Sequence, residues 1–366
     1  MTVIMLNQTK LLPGLTMRIA LLAIPGSMRS ALAGIADMFW LANQIIVQNP
    51  QVNADIARTS PFFEVMVVTS DGLPVMDVQG RKIVSDGSFN DAEPVDLVIA
   101  SGMQLDEQKL PLAQEAVTAA AEWVKEKYLQ GSCIAGACAG GFILGKAGLL
   151  NGRACTTTWW LYHTLRSRYP LAKPVWGKVM AEQDNIITTG GPFSWIDLVI
   201  YIVRKYAGNE IAKLTADMAV ADSQPLSQQL YAPAGFLNSR HPLLMKAEHL
   251  VRYQNPGITV DQLAEALNLT PRTLNRKMMA LIQENPKNFI TRVRIETATL
   301  MLDIPGKTIS QVANACGYSD ETAFRRAFSR VMGMSPGNYK ERIKNQTPSS
   351  LLSANNLSQV VSRHDA

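Results

Sequence analysis

The chain has 366 residues, and 47% of them are apolar, which is enough to build two domains with separate cores. Its four cysteines show neither zinc-ligand spacing nor the density of a disulfide framework, so the sequence predicts reduced thiols, no metal site and no cofactor. The formal charge is uneven: residues 1–240 carry 19 Lys and Arg against 20 Asp and Glu, a net of −1, whereas residues 241–345 carry 15 against 9, a net of +6.

The amino-terminal residues, 1–16, are predicted to be an extension that precedes the first domain. They lack the basic start and the sustained apolar core of a secretion signal. No run of the chain approaches the roughly 18 apolar residues that a membrane-spanning helix needs. The sequence therefore predicts a cytoplasmic protein without a membrane partner.

The first domain, residues 17–207, alternates strand-like with helix-like segments. Four segments are continuously apolar or rich in β-branched residues, as strands covered on both faces are. They are 17–24, 62–69, 95–100 and 132–137. Helical segments such as 30–48 and 112–129 lie between them. This alternation is typical of an open, largely parallel α/β sheet, in which ligands bind beyond the carboxyl ends of the strands.

A glycine-rich turn, residues 136–141, follows the last of these strands and precedes a helical segment. Its pattern is Gly-x-nucleophile-x-Gly with Cys138 in the centre, the pattern of a nucleophile elbow between a strand and a helix. A base and the helix N-terminus can activate a thiol at such a turn. The alternative is a small buried cysteine that only fills space.

This domain resembles the PfpI-type branch of the class I glutamine amidotransferase-like superfamily. The resemblance rests on five segments that occur in the expected order. They are Ile24-Pro-Gly26, residues 95–102, the elbow, residues 147–153 and residues 188–198. The family implies a flavodoxin-like, class I glutamine amidotransferase-like open parallel sheet.

Two features of the catalytic members of this family are absent from the sequence. The enzymes usually have a histidine just before the tryptophan that follows the Gly-Arg segment, but here Thr158 precedes Trp159. The segment after the first strand, residues 27–34, has no carboxylate. A thiol with an unperturbed pKa of about 8.5 is mostly protonated at neutral pH and is a poor nucleophile. The sequence thus predicts a pseudoenzyme, and the alternative is a cysteine-dependent hydrolase or amidase that uses His163.

The same turn suits the binding of a small ligand. Backbone N–H groups near Gly102 and Ala139 would form the oxyanion hole of an enzyme, and they can equally hold a ligand carboxylate. The indole of Trp159 can face a cationic group, although core or dimer packing is the alternative role for it. The predicted ligand-binding residues are therefore Gly102, Cys138, Ala139 and Trp159. The predicted effector is a small metabolite such as an amino acid or a quaternary amine.

A helical linker, residues 208–240, is predicted to lead into a second domain, residues 241–345, that contains a sequence repeat. The pattern at 260–278 returns at 309–328, with an offset of 49 residues before the turn and 50 after it. Each copy predicts a short helix, a tight turn and a second helix. This unit places one helix in the major groove of DNA.

The second helix of each copy is predicted to present polar side chains outward. In the first copy Thr270 is the predicted N-cap and Pro271 the first helical residue, and in the second copy the predicted N-cap is Ser319. Arginine can bond guanine and asparagine can bond adenine in the major groove, and the positive charge of the chain is concentrated in this domain. The predicted DNA-binding residues are Arg272, Asn275, Arg276, Thr322, Arg325 and Arg326.

One long helix, residues 286–302, is predicted between the copies and would set the spacing of the two reading helices. The second domain resembles the AraC/XylS family of transcription regulators. The motifs are Arg294-Ile-Glu-x-Ala, residues 309–319, Phe324-Arg-Arg-Ala-Phe328 and Gly333-Met-Ser-Pro-x-x-Tyr339. Fusion of a PfpI-type domain to such a module is a known architecture of regulators.

The AraC/XylS resemblance implies binding to double-stranded promoter DNA, usually as a homodimer, under the control of a small-molecule effector. A DNA-binding protein of architectural function that needs no ligand is a further alternative. The tail, residues 346–366, is rich in Ser, Asn and Gln and is predicted to be disordered.

Overall fold

The structure is a computed structural model that describes residues 16–48, 60–222, 227–238, 241–304 and 306–346. The chain folds as two compact units, Met1–Ala232 and Pro233–Ala366. Thr16, from the predicted amino-terminal extension, lies in the first strand, and Gln346, from the predicted tail, ends the last helix. The rest of both segments lies outside the described residues.

A seven-stranded sheet forms the centre of the first unit. The strands of this unit are β1 (Thr16–Leu22), β2 (Phe62–Thr69), β3 (Val75–Met76), β4 (Lys82–Ile83), β5 (Gly87–Ser88), β6 (Leu97–Ala100), β7 (Cys133–Ala137), β8 (Ala154–Cys155), β9 (Lys173–Pro174), β10 (Met180–Gln183) and β11 (Ile186–Thr189). Strands β3 and β4 pair with each other, as do β8 and β9, outside the large sheet. The sheet order is β10-β11-β7-β6-β1-β2-β5, and every neighbouring pair is parallel except β10 with β11. The four strands predicted from the sequence lie side by side within it, which confirms the predicted fold class.

Helices cover both faces of this sheet. They are α1 (Arg29–Gln48), α2 (Gln114–Leu129), α3 (Gly141–Lys146), α4 (Tyr162–Arg168) and α5 (Trp195–Met218). Alternate residues of β1 enter two separate cores: Ile19 packs with α1 and α5, and Ala20 packs with α2 and α3. Because the central strands β6 and β7 are buried on both faces, their sequences are continuously apolar instead of alternating.

Helix α1 is long and apolar enough over Arg29–Val47 to cross a membrane, judged by length and composition alone. Half of that stretch is buried within the first unit. Phe39 and Ala42 are fully buried there, in the core shared with β1 and α5. The helix therefore has the burial of a core helix.

The segment predicted as a linker, 208–240, falls on both sides of the division between the units. Helix α5 continues beyond residue 208, the predicted start of the linker, and ends at Met218. Its helical backbone is broken at Gly208, where φ is 90°. Ile211 and Ala212, beyond the break, are fully buried in the core against α1. Residues up to Ala232 belong to the first unit because of such contacts, and the second unit begins at Pro233.

The second unit is helical throughout its described elements. The helices are α6 (Pro242–His249), α7 (Val260–Ala266), α8 (Pro271–Ile282), α9 (Pro286–Leu302), α10 (Ile309–Ala315), α11 (Glu321–Met332) and α12 (Pro336–Gln346). A single π-helical turn, Leu250–Gln254, continues α6. Helices α7 and α10 are 49 residues apart, and α8 and α11 are 50 apart, as the sequence repeat predicts.

The two helix-turn-helix copies differ in how the second helix begins. Thr270 caps α8 by accepting the N–H of Thr273, as predicted. The predicted N-cap Ser319 is wrong, because Asp320 caps α11 instead. Its two carboxylate oxygens accept the N–H groups of Thr322 and Ala323, which satisfies two free donors of the helix at once.

Candidate DNA-binding surface and ligand site

Helices α8 and α11 each have one buried and one exposed face. On α8 the buried residues are Leu274, Met278 and Ile282. On α11 they are Phe324, Ala327, Phe328 and Met332, and the rings of Phe324 and Phe328 pack 5.7 Å apart. These apolar anchors fix the rotation of each helix, so that the opposite face points to solvent.

All six predicted DNA-binding residues lie on those exposed faces. Arg325 is paired with Glu321 one turn earlier, at 2.6 Å, but both side chains are more than one-third exposed. An exposed pair of this kind contributes little stability and is easily exchanged for a phosphate or a base. The sequence did not single out Lys277 and Arg330, which are also exposed on these helices. Arg330 lies one turn beyond Arg326 and therefore on the same face.

Helix α9, which lies between the two copies in the chain, contacts residues at both of them. Helix α9 spans 17 residues, as predicted. Its Arg294 donates to the carbonyl of Ile258 before the first copy, at 3.0 Å, and its guanidinium lies 5.6 Å from the ring centre of Tyr318 in the turn of the second. The side chain of Arg294 thus connects α9 to a residue just before the first helix-turn-helix and to one within the second.

A buried network of charges, which the sequence did not reveal, lies on the other side of α9. Arg292 donates to Glu284 and Glu296 at 2.9 and 2.8 Å, and Arg252 donates to Glu296 and Glu248 at 2.9 and 2.6 Å. Burial alone would lower the pKa of Arg292, but the carboxylates of Glu284 and Glu296 outweigh it and raise the pKa. The guanidinium of Arg292 therefore stays charged within the protein.

In the first unit, Cys138 has the backbone of a nucleophile elbow. It directly follows β7 and has φ of 54°, a left-handed conformation that non-glycine residues seldom adopt. Strands β6, β7 and β11 are parallel, so their carboxyl ends share one edge of the sheet. A Cβ on Gly102, which follows β6, would lie 3.8 Å from the Cβ of Cys138. The structure therefore places two of the predicted ligand-site residues side by side.

The environment of Cys138 is apolar. The residue is only 4% exposed, and burial raises the pKa of its thiol to about 11, although the backbone N–H of Ala139 opposes the shift. Ala139 is also buried. At neutral pH the sulfur is therefore protonated, a state that is poorly nucleophilic.

The loop Thr156–Trp159 lies next to the elbow. The hydroxyl of Thr157 donates to the carbonyl oxygen of Cys138 at 3.1 Å. Thr158, for which the sequence resemblance implies a histidine in enzymes, is buried, and Trp159 is partly exposed. A residue outside the predicted set, Gln228, accepts the backbone N–H of Trp159 at 2.8 Å. No sequence pattern pointed to Gln228, since 69 residues separate it from Trp159.

The elbow requires glycine at position 140. A Cβ there would lie 2.1 Å from the carbonyl oxygen of Ala100, whereas a Cβ on Gly141 would meet nothing within 4 Å. Gly140→Ala is expected to destabilise the first unit by about 1–3 kcal/mol through overpacking. Gly141→Ala, the matched control in helix α3, is expected to be neutral or stabilising by roughly 0.5 kcal/mol. Urea unfolding followed by tryptophan fluorescence measures both, and equal effects of the two changes would contradict the prediction.

Comparison with known proteins supports the division of the chain. Residues 56–205 match the DJ-1/PfpI family, and residues 263–342 match a helix-turn-helix domain family. The chain is 26% identical over 275 residues to the HTH-type transcriptional regulator CdhR of Pseudomonas aeruginosa, which covers 74% of this chain and 79% of CdhR. It is 27% identical over 194 residues to isonitrile hydratase of Pseudomonas putida, covering 51% of this chain and 75% of the enzyme.

A solved structure of an AraC family transcriptional regulator from Pseudomonas putida aligns with 16% identity and a TM-score of 0.45, over 56% of this chain and 99% of that one. The DJ-1/PfpI match falls in the first unit and the helix-turn-helix match in the second. The predicted resemblances are therefore confirmed. The chain is a DNA-binding transcription regulator in which a DJ-1/PfpI-type α/β domain precedes an AraC-type helix-turn-helix domain.

Proposed function

We propose that the protein reads promoter DNA through α8 and α11 and responds to a small-molecule effector bound at the elbow of the first unit. The observation that supports DNA reading most directly is the exposure of all six predicted residues on two matched helices. Their connector, α9, is a single helix of 17 residues. Two reading helices of one chain can then enter successive segments of the major groove, which recur about every 34 Å.

A selection experiment tests this reading. The full chain would be used to recover binding sequences from a random DNA pool, and the winner would be footprinted. We expect protection of two segments about 10 base pairs apart, and an affinity that falls about 10³-fold or more between 50 and 200 mM salt. Salt-sensitive binding with no sequence preference would instead favour the architectural alternative.

The proposed effector site uses Gly102, Cys138, Ala139 and Trp159. A small amphiphilic metabolite such as an amino acid or a quaternary amine fits the combination of backbone donors and an indole. We further propose a cytoplasmic homodimer that has two arrangements, because an effector shifts DNA binding only if its affinity for them differs. Mass spectrometry of metabolites that copurify with the full chain, followed by their addition to a DNA-binding assay, would identify the effector.

We also propose that the first unit has no catalytic activity of its own. Two observations support this: Thr158 replaces the expected histidine, and the pKa of the Cys138 thiol is raised. The likeness to isonitrile hydratase favours the alternative, an enzyme that acts through Cys138.

The pH dependence of Cys138 alkylation separates these possibilities. Because burial raises the pKa of Cys138 to about 11, the thiolate fraction should rise about tenfold per pH unit from pH 7 to 10. The iodoacetamide labelling rate of the Cys138 peptide should follow it without levelling. In the urea-unfolded chain the same rate should level off near the ordinary pKa of about 8.5. A plateau near pH 7 in the folded protein would indicate an activated nucleophile and favour the enzyme.

A further inference from the structure

The side chain of Gln228 is buried in a cradle of backbone groups beside the elbow. Its amide nitrogen donates to the carbonyl oxygens of Lys178 and Thr157 at 2.7 and 2.9 Å. Its amide oxygen accepts the N–H of Trp159 at 2.8 Å. The residue is 6% exposed, so both ends of the carboxamide are satisfied inside the protein.

The cradle is shaped for this carboxamide. A Cβ on Gly190 would lie 2.0 Å from the amide nitrogen of Gln228 and 2.6 Å from the carbonyl oxygen of Thr157, so a larger residue at 190 would displace one or the other. The backbone of Gln228 is fixed as well, because its N–H donates to the carbonyl of Gly177 at 2.9 Å. This segment is therefore held both by its backbone and by its side chain.

Gln228 is connected to the proposed effector site in two ways. The carboxamide holds the carbonyl of Thr157, and the hydroxyl of Thr157 holds the carbonyl of Cys138. The same carboxamide holds the backbone of Trp159, whose indole belongs to the proposed site. A ligand that moves the Thr156–Trp159 loop therefore either moves Gln228 with it or lengthens the bonds to Gln228.

The chain that follows Gln228 is held by the second unit within a few residues. Gly235 donates its N–H to Glu296 of helix α9 at 3.1 Å, and Asn238 accepts from Arg292 at 3.0 Å. Gly235 is seven positions after Gln228, a separation that spans at most about 25 Å when the chain is fully extended.

We propose that Gln228 is a positioning residue that couples the effector site to the DNA-binding unit. Its carboxamide is bonded to the Thr156–Trp159 loop, and its chain segment continues to Gly235 and Asn238, which bond the buried charge network of α9. This inference rests on the proposed function. When a ligand occupies the site, the position or the hydrogen bonds of Gln228 change. The short connecting segment then shifts Gly235 and Asn238. The coupling thus needs no direct contact between ligand and DNA-binding unit.

A double-mutant cycle on DNA affinity tests the coupling without an identified ligand. Trp159→Ala alters the proposed site but retains the backbone N–H that Gln228 accepts. Binding of the full chain to the DNA selected by the unaltered protein would be measured for Trp159→Ala alone and combined with Gln228→Ala. The expected shift caused by Trp159→Ala is about fivefold or more when Gln228 is present. It should fall below about twofold in the Gln228→Ala background, since independent sites add and coupled sites do not.

Two further variants make the cycle decisive. Gln228→Glu keeps the shape of the side chain but has no N–H to donate to two carbonyl groups, so it should remove the coupling if Gln228→Ala does not fold. Gln229→Ala is the matched control, because Gln229 is the adjacent glutamine and its amide oxygen has no hydrogen-bond partner. In that background the effect of Trp159→Ala should persist in full.

The outcomes separate this inference from the proposed function. If Trp159→Ala shifts the affinity equally in all backgrounds, or in none while specific DNA binding persists, the coupling role of Gln228 is overturned and DNA reading stands. If the unaltered chain selects no DNA sequence, the proposed function itself fails. A purely structural role for Gln228 would change stability and leave the effect of Trp159→Ala intact.

Discussion

Replacing Arg276 and Arg326 together by alanine is expected to abolish sequence-specific DNA binding. Each arginine is exposed on one of the two reading helices, and each can bond a guanine through two donors. One such contact contributes roughly 1–3 kcal/mol of discrimination, so losing two should weaken binding to the selected sequence by about 10²-fold to 10⁴-fold. Fluorescence anisotropy with labelled DNA, at a fixed salt concentration, measures the loss.

The matched control replaces Arg29 and Arg168 by alanine. Both are exposed arginines of the first unit, so this double variant loses the same charge at a distance along the chain from the helix-turn-helix copies. It should retain nearly full specific affinity. Neither double variant should change the free energy of unfolding by more than about 0.5 kcal/mol per site, because the replaced side chains lie at the surface. Unchanged specific binding by Arg276→Ala/Arg326→Ala would refute the assignment of α8 and α11 as reading helices.

The features that local sequence could predict are those set by periodicity and by neighbours in the chain. Helix α9 runs over the predicted residues, and the offset of 49 then 50 recurs in the structure because each copy has its own apolar anchors. Outward positions follow directly once the buried ones are known. The central sheet could also be predicted, because its strands are continuously apolar segments of the sequence.

The N-cap prediction for α11 was wrong because two neighbouring residues could perform the same role. Ser319 and Asp320 are both good N-cap residues, and only the geometry of the turn decides between them. The predicted linker began at Gly208, where the helical backbone does break, but apolar Ile211 packs against α1 beyond that break. Tertiary burial outweighed the local preference of the backbone there.

Contacts between distant residues were beyond any local pattern. Gln228 meets Trp159 across 69 positions, and Arg252 meets Glu296 across 44. Glutamine and arginine are not unusual residue types, so nothing in the sequence indicated that Gln228 and Arg252 are buried. The elbow was recognisable because its glycines and cysteine are adjacent in the chain, whereas the loop and segment that surround it come from separate elements.

The buried charge network should be the most sensitive part of the second unit. The Arg292 side chain is 3% exposed and bonds Glu284, Glu296 and Asn238, and its guanidinium lies 5.2 Å from the ring centre of Phe289. Arg292→Ala leaves the carboxylates without this partner and opens a cavity. Removing one partner of a buried ion pair costs about 3–5 kcal/mol. Arg325→Ala, which loses only an exposed pair one helical turn from Glu321, should cost about 0.3–0.5 kcal/mol.

The chain provides separate probes for the two units. All six tryptophans lie between positions 40 and 195, so tryptophan fluorescence reports the unfolding of the first unit alone, whereas circular dichroism in the helical region also reports the second. In urea, Arg292→Ala should move the dichroism transition to lower denaturant concentration and leave the fluorescence transition in place. Equal shifts of both transitions would show that the units unfold together. If Arg292→Ala and Arg325→Ala had the same small effect, the network would be stabilised by its hydrophobic surroundings more than by its charges, because desolvation can cancel the attraction between buried ions.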